Sequence, residues 1–283
     1  MPDLVILHVL VSSENLYLYD PSLKTKHILE FLFTGTGTST GIPMVGCDCE
    51  VCQSTDPLDT RLRASGMVIS DEVQFVIDTG PDFRRQMLQH KVRDIDAVVY
   101  THQHKDHTAG LDDVRPFNYL HDKTMPLYVS EAVETHLRKE YYYIFERSDY
   151  PGLPRLTFQR IHPLQAFYIG DVEILPIPLM HGSLEVLGFK MGTFAYLTDT
   201  NGIPEVSIPH LKNLDILVLD ALRITPHYSH FNLAQALDMV DKLEPKQAYL
   251  THISHLMGLH AEVSLGLPPH VSLAYDGLRL RWE

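Results

Sequence analysis

The densest group of metal-binding side chains in the sequence lies directly after an apolar run, residues 96–100. His102, His104, Asp106 and His107 fall within six residues of one another. Because side chains alternate along an extended chain, His102 and His104 point to the same side, and the other two fall on the following turn. Such a loop can give two imidazoles to one cation, and a carboxylate plus an imidazole to a second. The spacing predicts a two-metal hydrolytic centre at the end of a strand.

Three further candidate ligands each close an apolar run elsewhere in the chain: His181, Asp199 and His252. Strands that end at a common edge can deliver such side chains to one shared site. We therefore expect these residues to complete the coordination of the segment that begins at His102.

All three cysteines lie in one short segment, as Cys47, Cys49 and Cys52. They are too close for ordinary disulfide pairing, and their odd number would leave one thiol unpaired. Three thiolates are one ligand short of a closed tetrahedral zinc site. His255 is the predicted fourth ligand, and its place three residues beyond His252 ties a structural zinc to the catalytic segment.

The ordered set of motifs resembles that of the metallo-β-lactamase-fold hydrolases, from about Leu32 to the C-terminus. That resemblance implies an α/β fold, an αββα sandwich of two mixed β-sheets flanked by helices. It also implies a role for each ligand. One cation would be held by His102, His104 and His181, the second by Asp106, His107 and His252, and both would be bridged by Asp199 together with a water or hydroxide.

The cysteine segment, the glycine-rich strand 29–37 and the segment 251–255 make the chain similar to the phosphoribosyl 1,2-cyclic phosphodiesterase (PhnP) family of phosphonate breakdown. The resemblance implies hydrolysis of a small cyclic phosphodiester, such as a phosphoribosyl cyclic phosphate, by a hydroxide that two metals activate. Expected cofactors are one structural zinc and two catalytic divalent cations, which could be zinc, manganese or iron. The glycines could instead indicate a dinucleotide loop, but Ile42 and Pro43 follow where its helix should begin.

His230 is expected to act as the general acid that protonates the leaving alkoxide. It is counted as catalytic together with Asp106. His227 is the alternative acid and is also, like Arg115, a candidate contact to the substrate. Both histidines precede a predicted helix in a segment that resembles the active-site histidine loop of the family.

Two residues near the metal segment receive supporting roles. Arg115 is a candidate contact to a phosphate or a ribose hydroxyl, with a structural pair to Asp112 or Asp113 as the alternative. Asp78 closes an apolar run, and we expect it to accept a hydrogen bond from a ligand histidine.

Composition and charge restrict the partners. The formal net charge of the 283-residue chain is −13, which does not suit a protein that follows a long nucleic-acid backbone. Two divalent cations facing Asp106 and Asp199 would nevertheless attract a small anionic phosphodiester. Reduced cysteines predict a cytoplasmic protein, and the apolar start is too short to span a membrane. The aromatic residues 141–143 with Phe145 indicate a packing surface or the contact of a homodimer.

The pattern of elements predicts one hydrolase domain over 29–283, with 1–28 as an N-terminal extension packed on its edge as an added strand. Helices are expected at 82–90, 130–142 and 232–243, with Asn232 as an N-cap. Strands are expected at 29–37, 66–70, 73–78, 98–101, 156–160, 166–177, 188–197 and 214–219.

Four other functions are compatible with parts of this pattern. A tRNA 3′-processing endonuclease (tRNase Z-like) shares the metal motif but would need a basic arm. A thiolester or lactone hydrolase of the same fold would share the whole ligand set. A relative from quinone-cofactor biosynthesis shares the cysteine segment without the full catalytic set, and a non-catalytic zinc-stabilised protein would need only the cysteines.

Overall fold

The computed structural model describes residues 28–146, 150 and 152–283, together with the backbone of 9–12 and 15–18. In chain order, the strands are β1 (Val9–Ser12), β2 (Asn15–Leu18), β3 (Leu29–Gly35), β4 (Ser65–Ile69), β5 (Gln74–Ile77), β6 (Ala97–Val99), β7 (Met125–Val129), β8 (Leu156–Arg160), β9 (Phe167–Ile169), β10 (Val172–His181), β11 (Leu184–Met191), β12 (Phe194–Leu197), β13 (Ile216–Asp220), β14 (Gln247–Thr251), β15 (Val271–Leu273) and β16 (Arg279–Trp282).

The helices among these strands are α1 (Glu50–Gln53), α2 (Phe83–Gln89), α3 (Lys105–Thr108), α4 (Arg115–His121), α5 (Glu131–Glu140), α6 (Tyr142–Phe145), α7 (Leu233–Leu243) and α8 (His260–Leu265). Short 3₁₀ helices lie at Pro57–Asp59, Leu111–Val114, Ile208–Leu211 and His255–Met257. Within the described part of the chain, no helix is long and apolar enough to cross a membrane.

Two seven-stranded mixed sheets form the centre of the fold. The first has the order β16-β3-β4-β5-β6-β7-β8, and the second has the order β15-β14-β13-β12-β11-β10-β9. The pairs from β5 to β8 are parallel, as are the pairs from β12 to β15, and the remaining pairs are antiparallel.

Three apolar clusters hold the layers together. The largest rings, among them Phe31, Phe189 and Phe194, pack between the two sheets. The outer face of the first sheet is covered by α2, α4 and α5, and the outer face of the second by α7. This layering is the expected αββα sandwich, because each sheet buries one face against the other sheet and one against helices.

The predicted helices are present, with caps that match the sequence. The side chain of Ser130 caps α5, and Asn232 forms a capping box with Gln235 at the start of α7. The single strands predicted at 166–177 and 188–197 are wrong. Each is a hairpin, because Gly170 and Gly192 adopt left-handed turns, both with φ of +56°, between β9 and β10 and between β11 and β12.

The N-terminal segment lies mostly outside the described residues. Within them, β1 and β2 pair with each other as a separate two-stranded antiparallel sheet. The expected packing of 1–28 on the domain edge stays a prediction.

Candidate metal centre and active site

The candidate site lies where parallel strands of both sheets end. β5 and β6 of the first sheet end next to each other, as do β12, β13 and β14 of the second. Residues just beyond these strands, or at the end of β10, therefore meet at one edge of the sandwich. They are Asp78, His102, His104, Asp106, His107, His181, Asp199, Asp220 and His252.

Seven of these residues form two adjoining groups of donor atoms. The nitrogens of His102, His104 and His181 lie within 4.8 Å of one another. The donor atoms of Asp106, His107, Asp199 and His252 form a second group with the same spacing. The structure thus brings together all seven residues that the sequence suggested as ligands of the dinuclear site.

Asp199 lies between the two groups. Its Oδ1 is 3.9 Å from Nε2 of His102 and 3.1 Å from Nε2 of His252, while its Oδ2 is 3.2 Å from Nε2 of His107. A carboxylate with one group on each side can share its oxygens between two cations. This position agrees with the bridging role that the family resemblance implies.

The site fits metal ions because several of its buried atoms have no other partner. The Nε2 atoms of His102, His107 and His252 are buried and make no hydrogen bond within the described chain. Leaving such an atom unsatisfied costs about 1–3 kcal/mol. Their separations from Asp199 are short, yet they lack hydrogen-bond geometry. Imidazoles and carboxylates directed at common points are the donor set of zinc, manganese or iron.

Two of the ligand histidines have their other ring nitrogen held by a protein group. Nδ1 of His107 donates to Oδ2 of Asp78 over 2.7 Å, and Nδ1 of His181 donates to the carbonyl of Ser229 over 2.8 Å. Asp78 is itself fixed by the backbone N–H and hydroxyl of Thr101. These bonds orient the rings so that Nε2 faces the ligand groups. Asp78 is placed as the sequence predicted.

Three residues of the site adopt the left-handed backbone conformation. The φ angles are +66° at Asp78, +54° at Asp199 and +59° at His252, each immediately or shortly after its strand. A non-glycine residue in this region costs on the order of 1 kcal/mol or more. Strain repeated at three strand ends around one cluster is typical of a functional site, where it aims side chains inward.

The electrostatics of the second group favour bound positive charge. Burial opposes charging of His107, but the carboxylates of Asp199, Asp106 and Asp78 outweigh it and raise its pKa well above the ordinary value. Burial likewise opposes charging of His252, yet Asp199 and other carboxylates raise its pKa to about 10. Bound cations can supply the positive charge that these protons would otherwise carry.

In the first group of ligands, the surroundings of His102 and His181 favour neutral rings instead of charged ones. Burial, and secondarily the neighbouring His107, lower the pKa of His102 well below its ordinary value. Burial also lowers the pKa of His181. Both rings are therefore neutral at pH 7, which is the form of imidazole that binds metals.

His230 lies beside the ligands and is held by a carboxylate that sequence reasoning missed. Its Nδ1 donates to Oδ2 of Asp220 over 2.7 Å, and Asp220 is fully buried at the end of β13. The ring centroid of His230 is 4.5 Å from that of His181 and 4.6 Å from that of His252. Asp220 closes an apolar run as Asp199 does, and that signal could have found it.

His227 and Arg115 lie differently with respect to the ligands. The ring of His227 is 5.2 Å from that of His230, and His227 belongs to neither ligand group. The guanidinium of Arg115 pairs with Oδ2 of Asp112 at 2.7 Å and also donates to the Asp112 carbonyl. Arg115 thus forms the structural pair that the sequence offered as the alternative, and its contact to a phosphate or a ribose hydroxyl stays a prediction.

A separate group contains all the cysteines. The sulfurs of Cys47, Cys49 and Cys52 and a nitrogen of His255 lie within 4.8 Å of one another. Nδ1 of His255 is 3.3 Å from the sulfurs of Cys47 and Cys49. The backbone N–H of Cys52, followed by His255, lowers the pKa of Cys49 to about 6. A thiolate at neutral pH is the form that binds zinc.

Comparison with known proteins agrees with this geometry. The model of the beta-lactamase superfamily domain matches residues 74–253, which include all seven candidate ligands of the dinuclear site together with His230. The chain belongs to the metallo-β-lactamase superfamily. Within this superfamily the chain is PhnP-like, since it is similar to a solved diphosphatase from the PhnP family. That similarity has 42% identity and a TM-score of 0.85, and it covers 90% of this chain and 97% of the diphosphatase.

More distant metallo-β-lactamase structures share the fold alone. Zn²⁺-bound PqqB from Methylobacterium extorquens is 17% identical with a TM-score of 0.74, over 89% of this chain and 99% of PqqB. The short form of human tRNase Z is 15% identical with a TM-score of 0.64, over 89% of this chain and 98% of that enzyme.

One similar protein is named for a different reaction, the transfer of an octanoyl group. The octanoyltransferase of Porphyromonas gingivalis (strain ATCC BAA-308 / W83) is 39% identical over 249 residues, which are 87% of this chain. The chain spans 50% of the length of that protein. The other half of the octanoyltransferase has no counterpart in this match.

Proposed function

We propose that the protein hydrolyses a small cyclic phosphodiester of the phosphoribosyl cyclic phosphate type. The observation that carries this proposal is His230, which is hydrogen-bonded to Asp220 and has a ring nitrogen within 4.8 Å of donor atoms of His181 and Asp199. Phosphodiester hydrolysis with an alkoxide leaving group needs such a proton donor beside a metal centre. The similarity to a diphosphatase of the PhnP family supports phosphoryl chemistry.

In this proposal each group of ligands has one task. His102, His104 and His181 would hold one divalent cation, and Asp106, His107 and His252 would hold a second, with Asp199 available to both. Cations bound there would lower the pKa of a water and stabilise negative charge on the phosphoryl oxygens. Cys47, Cys49, Cys52 and His255 hold a structural zinc.

The protein's own contribution to the reaction is the control of a proton. Because Nδ1 of His230 is bonded to Asp220, its Nε2 is the ring nitrogen available to a substrate. Nε2 gives its proton to the departing sugar oxygen, and the carboxylate of Asp220 compensates the charge of the doubly protonated ring before transfer. One water is consumed, one endocyclic P–O bond breaks, and a phosphomonoester remains.

Charge and burial favour a small substrate. Asp199 and His252 are almost fully buried, so the reacting phosphorus must enter a confined space. The net charge of −13 disfavours a long nucleic acid as substrate. We therefore propose a small phosphodiester as the substrate. We further propose a cytoplasmic location and a homodimer that forms through the aromatic segment around Tyr142.

Acyl-thiolester hydrolysis is the second candidate, because the Porphyromonas gingivalis relative is named an octanoyltransferase. That name belongs to a protein of which this chain matches half. The same metal groups could act on a thiolester carbonyl, but a thiolate leaves without a proton and would have no need of the Asp220–His230 pair.

A substrate panel separates these functions. Purified protein with measured metal content would be assayed on a phosphoribosyl cyclic phosphate, a linear phosphodiester, a tRNA precursor and an octanoyl thiolester. We expect the cyclic phosphate to give the highest kcat/KM, and Asp199→Ala to abolish its turnover. The exposed His162 supplies a control, since His162→Ala should keep wild-type rates. Turnover of the thiolester or the tRNA without turnover of the cyclic phosphate would refute the proposal.

A further inference from the structure

A row of three rings runs from the ligand groups to the surface. The centroid of the His230 ring lies 5.2 Å from that of His227, and the centroid of the His227 ring lies 4.7 Å from that of Tyr228. Burial decreases along this row, since His230 is 7% exposed and Tyr228 is 82% exposed. The three rings therefore lie one after another between the proposed proton donor and the solvent.

The backbone beneath this row is anchored. The amide of Asn201 accepts from the N–H of Gly182 over 2.8 Å and donates to the carbonyl of Tyr228 over 2.9 Å. Gly182 follows the candidate ligand His181, so Tyr228 is fixed relative to the metal groups. Arg223 donates to the carbonyls of Thr225 and Pro226 and closes the preceding turn. A loop held in this way loses little freedom when a ligand binds.

The exposed ring of Tyr228 offers an apolar face next to the ring of His227. Ile224 in the same loop is 49% exposed and adds to this apolar surface. Planar groups gain about 1–3 kcal/mol per ring when they stack on an aromatic side chain. An exposed aromatic residue on an anchored loop next to a reaction centre is therefore suited to bind a planar part of the substrate.

We propose that His227 and Tyr228 form a leaving-group subsite, where a planar ring attached to the departing alcohol stacks. This inference rests on the proposed function, because it takes His230 as the donor to the leaving oxygen. With that oxygen at Nε2 of His230, the neighbouring rings of His227 and Tyr228 are the aromatic surface next to the group attached to it. Among cyclic phosphodiesters of sugars, those that bear a planar heterocycle would use this subsite, and Tyr228 is the residue that distinguishes them from the others.

Paired substrates test the subsite. Adenosine 2′,3′-cyclic phosphate carries a planar base, and methyl riboside 2′,3′-cyclic phosphate has the same reacting group without it. We expect Tyr228→Ala to lower kcat/KM for the adenosine substrate by about 10- to 100-fold, and to change the methyl riboside rate by less than about twofold. Tyr228→Phe should restore the adenosine rate, because the ring and not the hydroxyl makes the stack.

A matched control removes an exposed tyrosine elsewhere. Tyr168 is 59% exposed on β9, where its hydroxyl bonds to Glu173. Tyr168→Ala should leave both substrates unaffected. Equal losses on both substrates in Tyr228→Ala, or no loss on either, would overturn the subsite while leaving the phosphodiesterase function in place.

Direct binding distinguishes this failure from failure of the proposed function. If the wild-type protein hydrolyses neither of these two substrates nor the phosphoribosyl cyclic phosphate, the proposed function is refuted, and the affinity for adenosine monophosphate measured by calorimetry still decides the subsite. Affinity weakened about tenfold or more in Tyr228→Ala, and retained in Tyr228→Phe, would support it. Equal affinity in wild type and Tyr228→Ala would overturn it.

Discussion

Replacing His230 by alanine tests the proton donor most directly. The substitution removes Nε2 from the site but leaves all seven candidate metal ligands in place. Loss of a positioned general acid typically slows a reaction by about 10²–10⁴-fold. We expect a loss of this size in kcat for a cyclic phosphate with an alkoxide leaving group. A p-nitrophenyl phosphodiester should lose less than about tenfold, because p-nitrophenolate leaves without a proton.

The structure also gives a magnitude for Asp220. Its Oδ2 makes a charge-assisted hydrogen bond of 2.7 Å to Nδ1 of His230, and such bonds contribute about 1.5–3 kcal/mol. If this energy acts on the transition state, Asp220→Asn should slow alkoxide departure by about 10- to 100-fold. Asparagine can still accept the N–H of Thr200, which Asp220 binds over 2.8 Å.

A double-variant cycle completes the assay. If Asp220 acts through His230, adding Asp220→Asn to His230→Ala should cost less than about threefold more. Steady-state rates on both leaving groups would be measured at equal metal content, with His162→Ala as the control. Equal rate losses on the alkoxide and p-nitrophenolate substrates would refute the acid role, and additive losses in the double variant would refute the coupling.

Three other perturbations have expected outcomes. Asp199→Ala should reduce bound catalytic metal and abolish turnover while circular dichroism shows a folded protein; wild-type turnover would contradict its bridging position. Cys49→Ser should remove one zinc per chain, seen by elemental analysis, and lower the melting temperature, because structural zinc binding in favourable cases contributes on the order of 10 kcal/mol; unchanged zinc and melting would contradict the four-ligand site. Burial raises the pKa of Asp276 from 3.8 to about 6, so the folded state binds more protons than the unfolded state in this window. The stabilising contribution of Asp276 should therefore fall by about 2 kcal/mol as pH rises from about 4 to 6, and Asp276→Asn should remove this component of the pH dependence in denaturant titrations; a pH dependence identical to wild type would contradict the assigned cause.

Much of the site could be predicted because its ligands follow apolar runs. Parallel strands end at a shared edge, so the sequence order of His102, His181, Asp199 and His252 already indicated one cluster. Asp220 closes an apolar run in the same way, but the family resemblance assigns it no role as a ligand. The role of a carboxylate behind a histidine depends on a contact across ten residues of loop, which spacing does not reveal.

Other features could not be predicted because tertiary contacts decide them. The partner of Arg115 was ambiguous in sequence, since either neighbouring aspartate could reach it, and folding selects Asp112. The long apolar run 166–177 contains one glycine, and only the hairpin geometry shows that it turns there. The left-handed conformations at Asp199 and His252 follow from strand ends that must redirect their side chains inward.

The short segment after β14 joins the catalytic ligands to the cysteine group, and its backbone determines how strongly the loss of one metal affects the other. His252 belongs to the catalytic group and His255 to the cysteine group, but the residues between them are independently fixed. Ile253 donates to the carbonyl of Thr36 over 2.9 Å and accepts from the N–H of Thr38 over 3.0 Å. These bonds do not involve zinc, so they can hold His252 in position after a cysteine ligand is lost. Cys49→Ser should therefore lower the melting temperature while most of the catalytic metal stays bound. Loss of the catalytic metals together with the zinc would show that the zinc, and not these backbone hydrogen bonds, positions His252.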